Sequence, residues 1–578
     1  MVSLSINGTH VEVPEGSTIL DAAKKLQIHI PTLCYLDLHD IKMVNKCAAC
    51  RVCMVEIVGR RALAPACATP VASGMKIRTN TPRIINARRA VVELILSNHP
   101  KDCLICSRNT NCELQALAAE LSIHEIAYAG EMAKHDIDTS SHALAREMDK
   151  CVLCRRCEIM CNEVQTVNVL SAAHRGFNTT VSTAFNMPLA DSTCVSCGQC
   201  VAVCPTAALS EINYVSKLWN LLADPNKYVI VQTAPAVRAA LGECFDLPPG
   251  QTVTGKMVAA LRRLGFEKVF DTNFAADLTI MEEAAEFIHR LKHGGTLPIL
   301  TSCCPGWVKF FEHQFPDMLD VPSSCKSPQQ MFGAIAKTYM AKQLGIEPER
   351  LAVVSVMPCL AKKYEAARPE HTVNGQPEVD LVISTRELAK MIREAGITFN
   401  TLPDEQFDHP LGESTGAADI FGTSGGVLVA TLRTAYEWLT GKPLEHIEFD
   451  VLHGLKGIKE ATIPVGDLNV RVAVACGLGN ARQLLTDIHS GKAHYHAIEI
   501  MACPGGCVAG GGQPYHHGDI NTLEKRTQAL LNEDKGKALR KSHENPIIQK
   551  LYTDFLGEPY SKLAKELLHT EYVKRHKM

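Results

Sequence analysis

Eight cysteines fall into two runs of one spacing. Residues 151–161 read Cys-x2-Cys-x2-Cys-x3-Cys (Cys151, Cys154, Cys157, Cys161), and residues 194–205 repeat the run with a closing proline (Cys194, Cys197, Cys200, Cys204, Pro205). Two such runs make a module for two [4Fe-4S] clusters: three close thiolates hold three irons of one cube, and the fourth cysteine crosses to the other. The expected sets are Cys151, Cys154 and Cys157 with Cys204, and Cys194, Cys197 and Cys200 with Cys161. Two four-cysteine zinc sites are the alternative, although zinc motifs usually pair cysteines two by two across a loop.

The cysteine excess is local. Of 24 cysteines in 578 residues, 16 lie in the first 210. The length suits several domains rather than one core. A net charge of −3 is too near zero to advertise a nucleic-acid or membrane partner. The opening MVSLSINGTHVEVPEGS has no basic segment followed by an apolar stretch, and no apolar run approaches the ~18 residues of a membrane span. The expectation is a cytoplasmic protein whose cysteines serve as thiolate ligands rather than disulfides.

Residues 2–6 and 10–13 alternate like strands around Asn7-Gly8, and Ser17 is placed to cap a helix through Leu26, which predicts a β-grasp domain over 1–80. Within it Cys34, Cys50, Cys53 and Cys67 resemble a plant-type [2Fe-2S] loop. Cys47 and Cys50 have the same spacing as Cys50 and Cys53; the latter pair is chosen because CRVCMVEI runs straight into an apolar strand, which leaves Cys47 a spare thiol. The helical pattern INARRAVVELILSNH leads into His99, Cys103, Cys106 and Cys112, a one-His, three-Cys set in a domain at 81–140. Zinc competes with iron there on spacing, and the neighbouring cluster motifs favour a [4Fe-4S] centre. The two-cluster ferredoxin-like module then covers 141–215.

Beyond about residue 225, apolar strands alternate with amphipathic helices: YVIVQ and a helix from about 255, KVFD and a helix from about 277, then LPIL, LAVVSVM, DLVIS, VRVAVA and HAIEI. The pattern predicts a large two-lobed α/β domain with parallel sheets over 216–515. A polar helical tail, 516–578, reads as a wrap. The fold class expected is thus multi-domain α/β and α+β. Three strands run into cysteines: LPIL into Cys303 and Cys304, LAVVSVM into Cys359, HAIEI into Cys503 and Cys507. Strand carboxyl ends are where such sheets build sites. Glycines 505, 506 and 510–512 would let backbone approach a bulky cofactor. Five unrelated buried cysteines are the bland alternative.

TSCCPGW (301–307), MPCLAKKYE (357–365) and EIMACPGGCVAGGGQP (499–514) resemble the three signature motifs of [FeFe]-hydrogenases. The front modules are similar to the long clostridial form with four accessory clusters, and KSHENP with FLGEP (between 541 and 559) resembles its small-subunit segment. The resemblance implies an H-cluster, a [4Fe-4S] cube on Cys304, Cys359, Cys503 and Cys507, with Cys507 bridging to a diiron subsite carrying CO, CN and a dithiolate amine. It implies heterolytic H2 chemistry, with Cys303, Glu283, Ser323 and Glu286 as the proton route. Glu283 and Glu286, three apart on one helix, would otherwise read as exposed. Lys362 would donate to one cyanide, the Ala234-Pro235 backbone would lie near the other, and Met357, Phe421 and Met501 would pack around the subsite. Ala236 stands where some relatives have serine. Cys244, Cys325 and Cys476 match no ligand position and read as buried thiols.

The expected partners are H2 and protons, maturation proteins, and either ferredoxin or flavin/NAD(P)-binding subunits. The extended CRVCMVEI loop resembles catalytic subunits of NAD(P)-linked, electron-bifurcating hydrogenases, and a stand-alone ferredoxin-dependent enzyme is the alternative. In VRVAVACGLGNAR a strand meets Gly-x-Gly, but Arg482 replaces the third glycine and the nearest acidic partner is Glu499, which argues against a nucleotide site in this chain. A non-catalytic electron-transfer or sensory iron–sulfur protein is the reading from another class; Cys303, Lys362 and Cys507 favour catalysis.

Overall fold

The computed structural model describes residues 1–38, 43–45, 48–444, 446–455, 457–466 and 468–575. Cys47 lies outside the described residues. At the start, β1 (Val2–Ile6) and β2 (Thr9–Val13) pair antiparallel, Ile6 opposite Thr9, through Asn7 and Gly8, both at positive φ. The following helix α1 (Ile19–Lys25) is capped by Thr18, not Ser17. Thr18 Oγ1 accepts the Asp21 N–H at 3.2 Å and the Asp21 carboxylate accepts the Thr18 N–H at 2.8 Å, a reciprocal cap that Ser17 has no acidic partner to form. Strands β3 (Met54–Ile57), β4 (Ala64–Pro65) and β5 (Lys76–Arg78) complete a sheet of order β2-β1-β5-β3-β4, and Leu4, Ile6, Val55 and Ile77 pack under Leu20 and Ala23 of α1. Helix α2 (Pro82–Ser97), capped by Thr81, leads to His99. Residues 144–211 carry the two cysteine runs on short turns, closed by the antiparallel pair Leu144–Arg146 with Leu209–Glu211.

In the back half β6 (Tyr228–Thr233), β7 (Lys268–Asp271), β8 (Ile299–Leu300), β9 (Leu351–Met357), β10 (Leu381–Ser384), β11 (Ile458–Val465), β12 (Leu468–Cys476) and β13 (Ala497–Met501) form two four-stranded sheets. The first, β7-β6-β9-β10, is wholly parallel, and β9 is buried along its whole length. The second, β8-β13-β12-β11, is mixed, because β11 returns antiparallel to β12 as an edge hairpin. The expectation of parallel sheets fails at that edge: β11 alternates buried and exposed residues, as a strand with one solvated face must.

The helices used below are α3 (Thr254–Arg263), α4 (Thr272–His293), α5 (Pro305–Gln314), α6 (Gly426–Thr440), α7 (Leu478–His489), α8 (Ile520–Gly536), α9 (Pro546–Leu551) and α10 (Lys562–Leu568). Helix α4 starts at Thr272, not near 277, since the Asp271 side chain at the end of β7 caps it by accepting the Asn273 N–H at 3.1 Å. The tail is more than a wrap. Ile548, Leu551, Tyr552, Ala564 and Leu568 join the core beneath β6 and β9. Asp534 of α8 accepts both Arg433 Nη1 and Nη2 at 2.9 Å and Arg540 Nη2 at 2.6 Å, all within a buried contact with α6. Removing one partner of a buried pair strands the other charge, so Asp534→Ala is expected to cost about 3–5 kcal/mol in denaturant unfolding of the catalytic half. An unchanged midpoint would show that this pair does not anchor the tail.

Candidate metal centres and active site

In the amino-terminal domain the thiols of Cys34, Cys50, Cys53 and Cys67 are close neighbours. Shared protons lower the Cys34 and Cys53 pKa values and raise those of Cys50 and Cys67. Asn45 Nδ2 donates to the carbonyls of Cys34 (2.7 Å) and Cys154 (2.8 Å), tying this loop to the first cysteine run. His99 shares a pocket with Cys103, Cys106 and Cys112. Burial, helped by Lys150, lowers its pKa to about 4, and its buried Nδ1 has no hydrogen-bond partner. A neutral ring with a free nitrogen is what a metal ligand requires.

The two runs interleave. Cys204 is an electrostatic neighbour of Cys151, Cys154 and Cys157, while Cys161 neighbours Cys194, Cys197 and Cys200. Cys197 in turn neighbours Cys359 and Cys503. The thiols thus form a chain of groups leading from the amino-terminal modules to the back half. Each donor set fits an iron–sulfur cluster by its chemistry.

The strand-end cysteines converge between the two sheets. Cys359, after β9, lies beside Cys503, after β13; Cys304, the residue before α5, and Cys507 neighbour Cys359. Lys362 Nζ donates to the Cys303 carbonyl at 3.1 Å and to Glu365 at 2.9 Å. Burial favours its neutral form, but Glu365 and the thiols of Cys303 and Cys359 outweigh that and raise its pKa, so the ammonium persists. Ala234 and Pro235 follow β6, and Met357, Phe421 and Met501 are buried, the last two in one core cluster against which Cys303 packs. Ala236 offers its carbonyl to Gln513 Nε2 at 2.9 Å. The glycines also bring backbone close to backbone. A Cβ at Gly510 would sit 2.2 Å from Pro358 O, and at Gly511 2.7 Å from the Gly198 backbone, while at 505, 506 and 512 it would also meet protein. They let the ligand loops and the ferredoxin-like module pack backbone to backbone.

Cys303 has Glu283 as a neighbour, and burial above all holds its thiol protonated, well above the ordinary cysteine range. Glu283 and Glu286 are buried, not exposed. Thr431 Oγ1 donates to Glu283 at 3.3 Å, Ser323 Oγ to Glu286 at 2.8 Å and Arg290 Nη2 to Glu286 at 2.6 Å. Burial, then the charge of Glu286, pushes the Glu283 pKa up to about 8. Thr431 and Arg290 escaped the sequence reading, although Arg290, four residues beyond Glu286 on α4, is legible as a helix pair. The Gly-x-Gly helix start is covered: Gln165 Oε1 accepts the Leu478 N–H at 2.9 Å. Glu499 is equally committed, accepting the N–H groups of Gly425 (2.7 Å) and Leu428 (2.9 Å) at the start of α6. Cys325 and Cys476 are buried as expected; Cys244 is half-buried, packed against the main core, and so less enclosed than the buried thiol expected.

Comparison with known proteins matches residues 227–511 to the iron only hydrogenase large subunit, C-terminal domain, and 520–575 to the iron hydrogenase small subunit. Residues 1–82 match a 2Fe-2S iron-sulfur cluster binding domain, 88–127 the NADH-ubiquinone oxidoreductase-G iron-sulfur binding region and 150–208 a 4Fe-4S dicluster domain. The chain is 62% identical to the NADP-reducing hydrogenase subunit HndD of Solidesulfovibrio fructosivorans, over 100% of both chains. It is 39% identical to iron hydrogenase 1 of Clostridium pasteurianum, over 99% of this chain and 100% of the other. A solved [FeFe]-hydrogenase of Chlamydomonas reinhardtii superposes with a TM-score of 0.58 at 43% identity, covering 63% of this chain and 99% of that one.

The raised Glu283 pKa has a stability consequence. Its stabilising contribution is complete below the unfolded value of about 4.3 and is lost as pH rises towards the folded value of about 8. Across that window, unfolding free energies of wild type and Glu283→Gln should diverge against wild type by about 1.4 kcal/mol per pH unit. A difference flat with pH would mean that Glu283 is ionised at neutral pH.

Proposed function

Because the chain belongs to the iron-only hydrogenase family, we propose that it is the hydrogen-activating subunit of an NADP-linked hydrogenase, catalysing H2 = 2 H+ + 2 e−. The observation that carries the catalytic half is the five converging cysteines, with Cys303 neighbouring the buried Glu283 and, farther along the same helix, Glu286 bonded to Ser323. The full-length 62% identity to an NADP-reducing hydrogenase subunit supports the NADP-linked half.

In this reading Cys304, Cys359, Cys503 and Cys507 hold the H-cluster, which when bound supplies the redox centre where H2 is formed or split. Lys362 keeps a buried positive charge beside it, a charge-assisted donor for a cyanide ligand. The Ala234-Pro235 backbone and Met357, Phe421 and Met501 wall the cavity and exclude water. Cys303 carries protons at Sγ, Glu283 exchanges them with Cys303, and Ser323 with Glu286 passes them outward, while Arg290 holds Glu286 in place as its ion-pair partner. Cys34, Cys50, Cys53 and Cys67 would hold one [2Fe-2S] cluster, His99, Cys103, Cys106 and Cys112 one [4Fe-4S] cluster and the two crossed sets two more, and these groups would supply the path for electrons. Domain limits at 1–80, 81–140, 141–215, 216–515 and 516–578 follow these functions. Among the described residues no helix is long and apolar enough to cross a membrane; we place the protein in the cytoplasm, with maturation proteins supplying the diiron subsite and a flavin-bearing partner subunit reducing NADP. A ferredoxin-dependent stand-alone enzyme is the second reading, supported by the 39% identity to iron hydrogenase 1.

Anaerobic protein co-produced with the maturation proteins should evolve H2 from reduced methyl viologen, and Cys303→Ala should lose at least about 100-fold of that rate. It should reduce no NADP with H2 when alone. Full activity in Cys303→Ala would remove the proposed route, and NADP reduction by the isolated chain would remove the partner subunit.

A further inference from the structure

The outer end of the proton route carries metal-binding groups that the reading above leaves unused. Glu286, Cys325 and His569 each bring one ligand atom, a carboxylate oxygen, a thiol sulfur and an imidazole nitrogen, and these atoms all lie within 4.8 Å of one another. Glu286 and Cys325 are buried, and the His569 side chain is 7% exposed.

The arrangement is built into the backbone. Cys325 and His569 oppose each other in an antiparallel bridge, pinned by the Lys326 N–H on Leu568 O and the Thr570 N–H on Ser324 O, both 2.8 Å. Glu286 is fixed from three sides by Arg290 Nη2 (2.6 Å), Ser323 Oγ (2.8 Å) and the Ser324 N–H (3.1 Å). Glu282, Glu283 and Glu286 are the acidic neighbours of Cys325, and Arg290 is the cation paired with Glu286. Tyr552 donates to Glu282 and Tyr572 to the Ser323 carbonyl.

We propose that Glu286, Cys325 and His569 bind a divalent cation of the zinc class, and that occupation of this site stops proton traffic through Glu286. One thiolate, one imidazole and one carboxylate is a donor set suited to zinc, with a fourth position left for water. The Cys325 Sγ now lies 3.8 Å from Glu286 Oε2 as a weak donor. The cation takes the place of that thiol proton, which leaves to solvent, one per ion bound. His569 keeps an outer partner whichever nitrogen turns to the metal, since Nδ1 is 2.7 Å from Ser324 Oγ and Nε2 is 3.0 Å from Glu282. Such partners orient a ligating imidazole. A Glu286 carboxylate held by a cation no longer exchanges protons with Ser323. The blocking half of the inference rests on the relay reading of Glu286; the binding half does not.

The test adds zinc to tag-free anaerobic holoenzyme. Zinc-edge X-ray absorption should report one sulfur at about 2.3 Å with nitrogen and oxygen at about 2.0–2.1 Å. The sulfur should vanish in Cys325→Ala, and His569→Gln should weaken binding about tenfold or more. Viologen-linked H2 evolution should fall as the site fills, and both variants should need about tenfold more zinc for equal inhibition. No zinc bound, or zinc bound with its sulfur unchanged in Cys325→Ala, overturns the site. Zinc bound with these ligands at full turnover overturns the block and the relay role of Glu286, while the site stands.

Discussion

The seam where the two sheets present their strand ends, with Cys359 beside Cys503 across it, is the constraint on which the site depends. Neither sheet alone can gather the cysteines: β9 delivers Cys359 from one, β8 and β13 deliver Cys303, Cys304, Cys503 and Cys507 from the other. Closing the seam requires backbone against backbone, which explains Gly510 over Pro358 and Gly511 over Gly198. It also brings the ferredoxin-like module, through Gly198 and Cys197, to the edge of the same site.

A buried seam that must pass protons needs groups that change charge cheaply. Two carboxylates three residues apart on a helix are roughly 5–6 Å apart, where repulsion at an effective dielectric of 20 is roughly 3 kcal/mol. Glu283 and Glu286 therefore resist being ionised together, and the one deeper in, Glu283, keeps its proton to higher pH. Arg290 and Ser323 both donate to Glu286, so the pair runs from a protonated inner end to an ion-paired outer end. The tail finishes this end of the path with His569 and Tyr572, which gives the C-terminal segment a role in the site as well as in the core.

Much of this was legible in the sequence because ligand spacing is a local property. The paired runs, the strand-end cysteines and the hairpin at Asn7-Gly8 each lie within a short window. What escaped depends on distant partners. The cap at Thr18 rather than Ser17 turns on where Asp21 falls. The edge strand β11 carries no continuous apolar signal. The close backbone approaches of Gly510 to Pro358 and of Gly511 to Gly198 involve residues far along the chain. Thr431 reaches Glu283 from α6, 148 residues away, with nothing in its own surroundings to single it out. The tail, polar in composition, hides the apolar stripe that joins the main core.

The seam is tested most directly by the infrared spectrum of anaerobic protein co-produced with the maturation proteins, wild type beside Cys503→Ser. The account predicts CO and CN stretching bands in the wild type and their loss in the variant, with the amino-terminal clusters still detected by electron paramagnetic resonance. Wild-type protein with a full set of amino-terminal clusters but no such bands, or bands unchanged in Cys503→Ser, would contradict it.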